Sequence, residues 1–261
     1  MVQERHRLAV TTSASVSPAL ERSARSAAQG WGLPFVVRRP KEALEKLLAL
    51  HAEAFLVCER QRVTLADGEG SIHFHPGLAH LRIKGLDGGD PNDTFGRITG
   101  LSQGESILDC TLGLAQDALM AARLVGPTGR VVAVERSLSL YAVMSAGLAH
   151  HDPGPRSARV TPVYAEAGEF LRQQPDRSFD VVYFDPMFEK PRAAQPSFEL
   201  LRRHADYSPL TPEVLQEARR VARRLVVVKG SRFSQDLKKL GLTPVVLSRS
   251  ASIAWGKLDP L

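Results

Sequence analysis

The stretch Ile107-Leu108-Asp109-Cys110-Thr111-Leu112-Gly113-Leu114-Ala115-Gln116-Asp117 decides how this chain is read. An apolar run ends in an acid, turns through one glycine and enters residues 115–124, whose apolar positions recur at helical spacing. A second apolar run, 130–134, closes on Glu135 about 20 residues further along, the spacing of a nucleotide-binding β-α-β unit in which the acid accepts ribose hydroxyls. The loop lacks the Gly-x-Gly-x-x-Gly that brings a pyrophosphate against the backbone, since Ala115 stands two residues after Gly113. Asp109 and Asp117 would repel a pyrophosphate and attract a cation. They point to S-adenosylmethionine, which offers an ammonium and a sulfonium. The competing reading gives Gly113 only a tight turn and Asp117 only a favourable place on the helix dipole.

Working outward, the alternation continues with a helix over 138–150, a strand over 160–164, a short helix near 168–173 and a strand over 181–184. After a long connection come a helix over 212–222, a strand over 225–228, a helix near 235–240 and two last strand candidates, 244–247 and 252–255. Runs such as Val131-Val132-Ala133-Val134 and Leu225-Val226-Val227-Val228 suit strands buried on both faces. The pattern predicts a doubly wound α/β fold with a mostly parallel sheet, whose ligands lie beyond the carboxyl ends of the strands. Upstream, strand patterns at 8–11, 35–37, 54–58, 62–66 and 71–74 and helical patterns at 18–31 and 41–50 read as a small α/β module. The breakers of Gly85-Leu86-Asp87-Gly88-Gly89-Asp90-Pro91-Asn92-Asp93 mark a linker, giving an N-terminal module over 1–84, for RNA or partner binding, and a main domain over 94–261.

The sharpest local signal is Val181-Val182-Tyr183-Phe184-Asp185-Pro186-Met187-Phe188, a buried strand followed by Asp-Pro-x-aromatic. It resembles the Asp-Pro-Pro-Tyr motif of amino methyltransferases. An exocyclic amine conjugated to a ring is a poor nucleophile, and hydrogen bonds accepted by Asp185 and by the Pro186 carbonyl would localise its lone pair. Proline fixes φ and so helps aim that carbonyl, while the Phe188 ring stacks on an unpaired base. After the third strand, Glu166 stands where an adenine amino group would be bound, or is an exposed acid. The bland alternative for Asp-Pro after a strand is a turn.

With Asp109-Cys110-Thr111-Leu112-Gly113-Leu114-Ala115-Gln116-Asp117-Ala118, Glu135-Arg136, Asp185-Pro186-Met187-Phe188 and Val226-Val227-Val228-Lys229 in order, the chain resembles the S-adenosylmethionine-dependent methyltransferase family that includes ribosomal RNA small subunit methyltransferase J. The resemblance covers roughly residues 70–260. It implies a class I, Rossmann-like methyltransferase fold, S-adenosylmethionine as cofactor, and transfer to guanine N2 of 16S ribosomal RNA. It also implies cofactor contacts at Gln116, Asp117, Glu135, Arg136, Glu166, Ala167 and Asp185. The family's loop usually reads Gly-Leu-Gly-Arg-Asp and carries small hydroxyl residues where this chain has Glu166-Ala167. Two alternatives stay open: methylation of a small-molecule or protein amide nitrogen, and an RNA-binding protein that kept the fold without turnover.

A charge of +6 and a pI near 9.6 favour a polyanionic partner, expected here to be RNA and ribosomal. Phe74, His75, His80, Arg82 and Lys84 are expected to line the acceptor cleft with Met187, Phe188, Lys229 and Arg232, Lys229 reaching a phosphate or a base oxygen. His73, His75 and His80 have no cysteine or spaced acid to complete a metal site, and none is expected. Two cysteines inside apolar runs, no signal-peptide pattern and no apolar run of membrane length lead to the expectation of a cytoplasmic protein without disulfides.

Overall fold

The computed structural model describes residues 5–90, 93–187, 196–205, 207–247 and 252–261. Phe188, expected at the acceptor site, lies outside them. The chain divides into two compact units, one of Met1–His75, Ser137–His151 and Pro191–Ala205, the other of Pro76–Arg136, Asp152–Lys190 and Asp206–Leu261.

In the first unit, β1 (His6–Thr12), α1 (Pro18–Gly30), α2 (Leu44–Leu50), β2 (Ala52–Cys58), β3 (Val63–Asp67) and β4 (Gly70–His73) form a four-stranded sheet in the order β1-β2-β3-β4. β1 runs parallel to β2, and β2, β3 and β4 pair antiparallel as two successive hairpins. Asp67 sets the second turn, its Oδ1 accepting from the N–H groups of Glu69 and Gly70. The strand expected at 35–37 is reduced to a single bridge between Val10 and Phe35.

The second unit holds α3 (Gly77–Asp87), α4 (Thr94–Thr99), β5 (Ser106–Asp109), α5 (Gln116–Val125), β6 (Arg130–Glu135) and, beyond α6 (Leu138–His150), β7 (Val160–Tyr164), α7 (Ala167–Arg172) and β8 (Phe179–Phe184). After α8 (Pro196–His204) come α9 (Pro212–Val221), β9 (Ala222–Ser231), α10 (Asp236–Lys239) and β10 (Ile253–Leu258). The sheet order is β10-β9-β8-β5-β6-β7, all parallel except β10 against β9. The strand order therefore reverses at β5, where an open α/β sheet forms its ligand crevice. Asp180 locks the register there, its Oδ2 accepting from the backbone N–H and the hydroxyl of Ser106 at 2.8 and 2.6 Å.

Alternate residues of the central strands serve the two faces of the sheet. Leu108, Val182, Phe184, Val226 and Val228 join Leu171 of α7 and Leu215, Ala218 and Val221 of α9 in one core. Tyr183 faces the other way and meets Phe95 of α4 edge-on at 5.0 Å.

Two helices depart from the expectation. Residues 76–84 fall in the second unit and not with the N-terminal module, because α3 packs along α5 and its Ala79 N–H donates to Gln116 Oε1 at 2.7 Å. Gly85, read as a breaker, lies inside α3, and Asp93, read as linker, caps α4 by accepting from Gly96 N–H. Helix α6, which links β6 to β7 in the chain, packs on the sheet of the first unit. A Cβ on its Gly147 would stand 2.1 Å from Phe74 Cβ. Gly147→Ala is expected to lower stability by about 1–3 kcal/mol in urea titrations, because this overlap outweighs the roughly 1 kcal/mol that alanine adds to helix propensity.

Candidate active site

The loop after β5 is shaped by backbone hydrogen bonds at both ends. Cys110 N–H donates to Tyr183 O and Leu112 N–H to Val134 O, tying the loop to the strands on either side. Gly113 (φ 50°) and Ala115 (φ 62°) are both left-handed, a conformation glycine adopts freely and alanine does not. Gly113 N–H donates to Glu135 Oε2 at 3.0 Å, so the acid ending β6 holds the loop that opens α5. Gln116 spans the gap to α3, its Nε2 donating to Leu114 O while Oε1 takes the Ala79 N–H.

Asp109, Thr111 and Asp185, which end or follow strands, converge on the carboxyl edge with Tyr183 of β8, Lys229 of β9, Asp117 of α5 and Arg82 of α3. Asp109, 2% exposed, accepts at Oδ1 from the N–H and the hydroxyl of Thr111 at 2.9 and 3.2 Å. The same hydroxyl accepts the backbone N–H of Asp185 at 2.7 Å, so Thr111 joins the loops after β5 and β8. Asp117 accepts at Oδ1 from Arg82 Nη1 (2.6 Å) and at Oδ2 from Tyr183 OH (2.7 Å) and Lys229 Nζ (3.1 Å). Lys229 Nζ also donates to Asp185 Oδ2 at 2.7 Å, and Arg82 Nε donates to Asp93 Oδ2 at 2.7 Å.

This packing sets the charges. Burial pushes Asp109 up to about 7, helped by the neighbouring carboxylates Asp117 and Asp185 and opposed by the Thr111 hydrogen bonds. Burial would also raise Asp117, but Lys229 and Arg82 override it and hold that carboxyl below the ordinary range. Asp185 lies above the ordinary range, raised by its recess against the strand ends and by Asp117 and opposed by Lys229. Burial works against the Lys229 ammonium, yet Asp185 and Asp117 keep it above the usual lysine range. Burial and Asp117 hold the Tyr183 phenol well above its usual range, so it remains a donor.

The structure thus brings Asp109, Gly113, Asp117, Glu135, Asp185 and Lys229 to one edge. Other expected residues have different surroundings. Glu166 is the N-cap of α7, both of its oxygens accepting backbone N–H groups of Gly168 and Glu169, with Ala167 the first helical residue. Arg136 donates to the Ser208 hydroxyl, and Arg232 lies over the Phe233 ring. Arg82, half-buried, is engaged in two ion pairs, whereas His80 and Lys84 are exposed on α3. Phe74 packs edge-on against His151 within the first unit, and His75 lies past the end of β4. Pro186 and Met187 follow Asp185, half-buried. Among the described residues no three His, Cys, Asp or Glu side chains group as a metal site, and no helix is long and apolar enough to cross a membrane.

Sequence reasoning missed Thr111, Tyr183 and Asp93. A phenol inside the apolar run of β8 was the available signal, since a buried tyrosine hydroxyl requires a partner.

Residues 35–249 match the family described as "Putative SAM-dependent methyltransferase". The chain belongs to that family. This methyltransferase is 33% identical over 256 residues, 96% of its length and 98% of the relative's, to the uncharacterised protein YpiP of Bacillus subtilis. It is 37% identical over 155 residues to ribosomal RNA small subunit methyltransferase J of Laribacter hongkongensis, a match covering 56% of this chain and 54% of that protein. The crystal structure of a SAM-dependent methyltransferase from Neisseria gonorrhoeae superposes with a TM-score of 0.64 at 19% identity, covering 96% of this chain and 95% of that one. The sheet is accordingly that of the class I SAM methyltransferases, and S-adenosyl-L-methionine is the cofactor of the methyltransferase. The family match begins at residue 35, well upstream of the resemblance seen at 70–260.

Because the folded methyltransferase holds the Asp109 proton more tightly than the unfolded chain, this group's contribution to stability is complete below about pH 4 and is lost as pH rises through about 7. Asp109→Asn, which can still accept from Thr111, is expected to lose less stability than the parent between pH 4 and pH 8. Denaturation midpoints across that range provide the check.

Proposed function

We propose that the methyltransferase acts on an exocyclic amine, with guanine N2 of ribosomal RNA as the acceptor. The observation that carries this reading is the posture of Asp185. Its backbone is held by Thr111 and one carboxylate oxygen by Lys229, while Oδ1 takes no hydrogen bond from the described residues. That oxygen and the Pro186 carbonyl would accept the two N–H groups of the acceptor amine and turn its lone pair outward. Phe188, by its place in the motif, would stack on the base.

The residues present suit the cofactor. Asp109, Asp117, Asp185 and Glu135 outnumber Lys229 and Arg82 at the strand ends, which favours a cationic ligand. Glu135 would take ribose hydroxyls, and the Gly113–Ala115 turn would let a ligand approach the backbone. S-adenosyl-L-methionine supplies an electrophilic methyl group on a cationic sulfur. Asp117, Gln116 and Glu166, whose oxygens already accept hydrogen bonds within the protein, would act by shaping the pocket. The Asp185 carboxylate would stabilise the positive charge that develops on the acceptor nitrogen.

RNA is supported by the net charge of +6, by the exposed His80, Lys84 and Arg232, and by the ribosomal RNA methyltransferases among the relatives. Incubation with radiolabelled S-adenosyl-L-methionine and small ribosomal subunits or total RNA, followed by nucleoside analysis, is expected to place label in N2-methylguanosine. Cofactor binding without label in any RNA would overturn the RNA reading and direct attention to small-molecule or protein acceptors. Asp185→Asn is expected to cut turnover, measured as initial rates at saturating S-adenosyl-L-methionine, by at least about 100-fold.

A further inference from the structure

We propose that Lys229 is the positioning residue of the acceptor site: anchored by Asp117, its ammonium fixes one oxygen of Asp185 so that the other is presented to the acceptor amine. The inference rests on the reading of Asp185 given above and assigns Lys229 a role different from the phosphate or base contact expected of it.

Two of the three Lys229 N–H directions are taken, by Asp185 Oδ2 at 2.7 Å and Asp117 Oδ2 at 3.1 Å. Its charge is balanced inside the protein, so little is left to attract an RNA phosphate. The anchor is itself anchored. Asp117 is gripped by Arg82 and Tyr183, Arg82 by Asp93, and Asp93 caps α4. A continuous line of hydrogen-bonded charges therefore runs from α4 through α3, α5 and β9 to the Asp185 carboxylate. The opposite end of Asp185 is fixed by its N–H bond to Thr111, so both backbone and side chain are held.

The charged groups that face Asp185 among the described residues are Asp109 from β5, Asp117 from α5 and Lys229 from β9, with Arg82 beyond Asp117 and the phenol of Tyr183 on β8. Lys229 is the cation in contact with it. Without that ammonium, Asp185 would stand beside two other carboxyls, and it would take up a proton at a higher pH. A protonated Asp185 is a poorer acceptor for an amine N–H, so the loss should be greatest at low pH.

The test compares the parent with Lys229→Met and Lys229→Arg. The pH dependence of kcat/KM is one readout, and the carboxyl 13C signals of aspartate-labelled protein are the other, with the Asp185 signal identified by its loss in Asp185→Asn. In Lys229→Met the acidic limb of kcat/KM is expected to move up by about one pH unit or more, a roughly tenfold loss at acidic pH that narrows as pH rises. The Asp185 signal should titrate higher by the same amount, and Lys229→Arg should restore both. A uniform loss with an unmoved acidic limb, or a raised KM for RNA alone, would overturn the proposal. If the parent methylates no RNA, the reading of function fails separately, and the Asp185 titration still decides: moved in Lys229→Met, it supports the positioning role, and unmoved, it refutes it. Should methionine at 229 prevent folding, Lys229→Gln, neutral but still a donor, carries the same titration.

Discussion

Asp117 has a side chain only 14% exposed, and a carboxylate so far removed from water stays charged only when its oxygens are filled by donors. Filling them requires Arg82 from α3, Tyr183 from β8 and Lys229 from β9, three elements far apart in the chain. The pairing therefore does more than neutralise a charge. It fixes where α3 lies along α5, which face of β8 carries Tyr183, and where the β9 ammonium points. Losing any one donor would leave a buried charge short of partners, which is costlier than never having buried it.

The same edge depends on a backbone that is held in a left-handed turn. Ala115 stands at φ 62° with its side chain fully buried, a conformation that costs an L-residue about 1 kcal/mol or more. The family's loop usually has glycine there. The strain is tolerated because Ala115 N–H bonds to Leu112 O, Leu112 N–H to Val134 O and Gly113 N–H to Glu135, which leaves the turn no freedom to relax. A rigid turn serves a site whose side chains must present charge with little reorganisation.

The two units are interleaved in sequence, since α6 follows β6 in the chain yet packs on the N-terminal sheet. The match to the Bacillus relative across 96% of the chain and the family match from residue 35 show that the N-terminal portion is not an isolated addition. It lies within the same length of chain that the Bacillus relative matches, as does the methyltransferase sheet.

The sequence by itself determined the alternation of strands and helices, the parallel sheet, and the strand ends that carry Asp109, Glu135 and Asp185. Those follow from local periodicity and from the rule that open sheets bind at their carboxyl edge. The helix α3 was not legible, because its apolar Leu78 and Leu81 point outward and Gly85 resembles a stop. Nor was the pairing of charges: Arg82 and Lys229 read as free cations suited to RNA, since a sequence records that a residue is charged and not what stands beside it. Only the tertiary structure, by bringing 82, 117, 183, 185 and 229 within hydrogen-bonding distance, decided which charges face inward to hold the site.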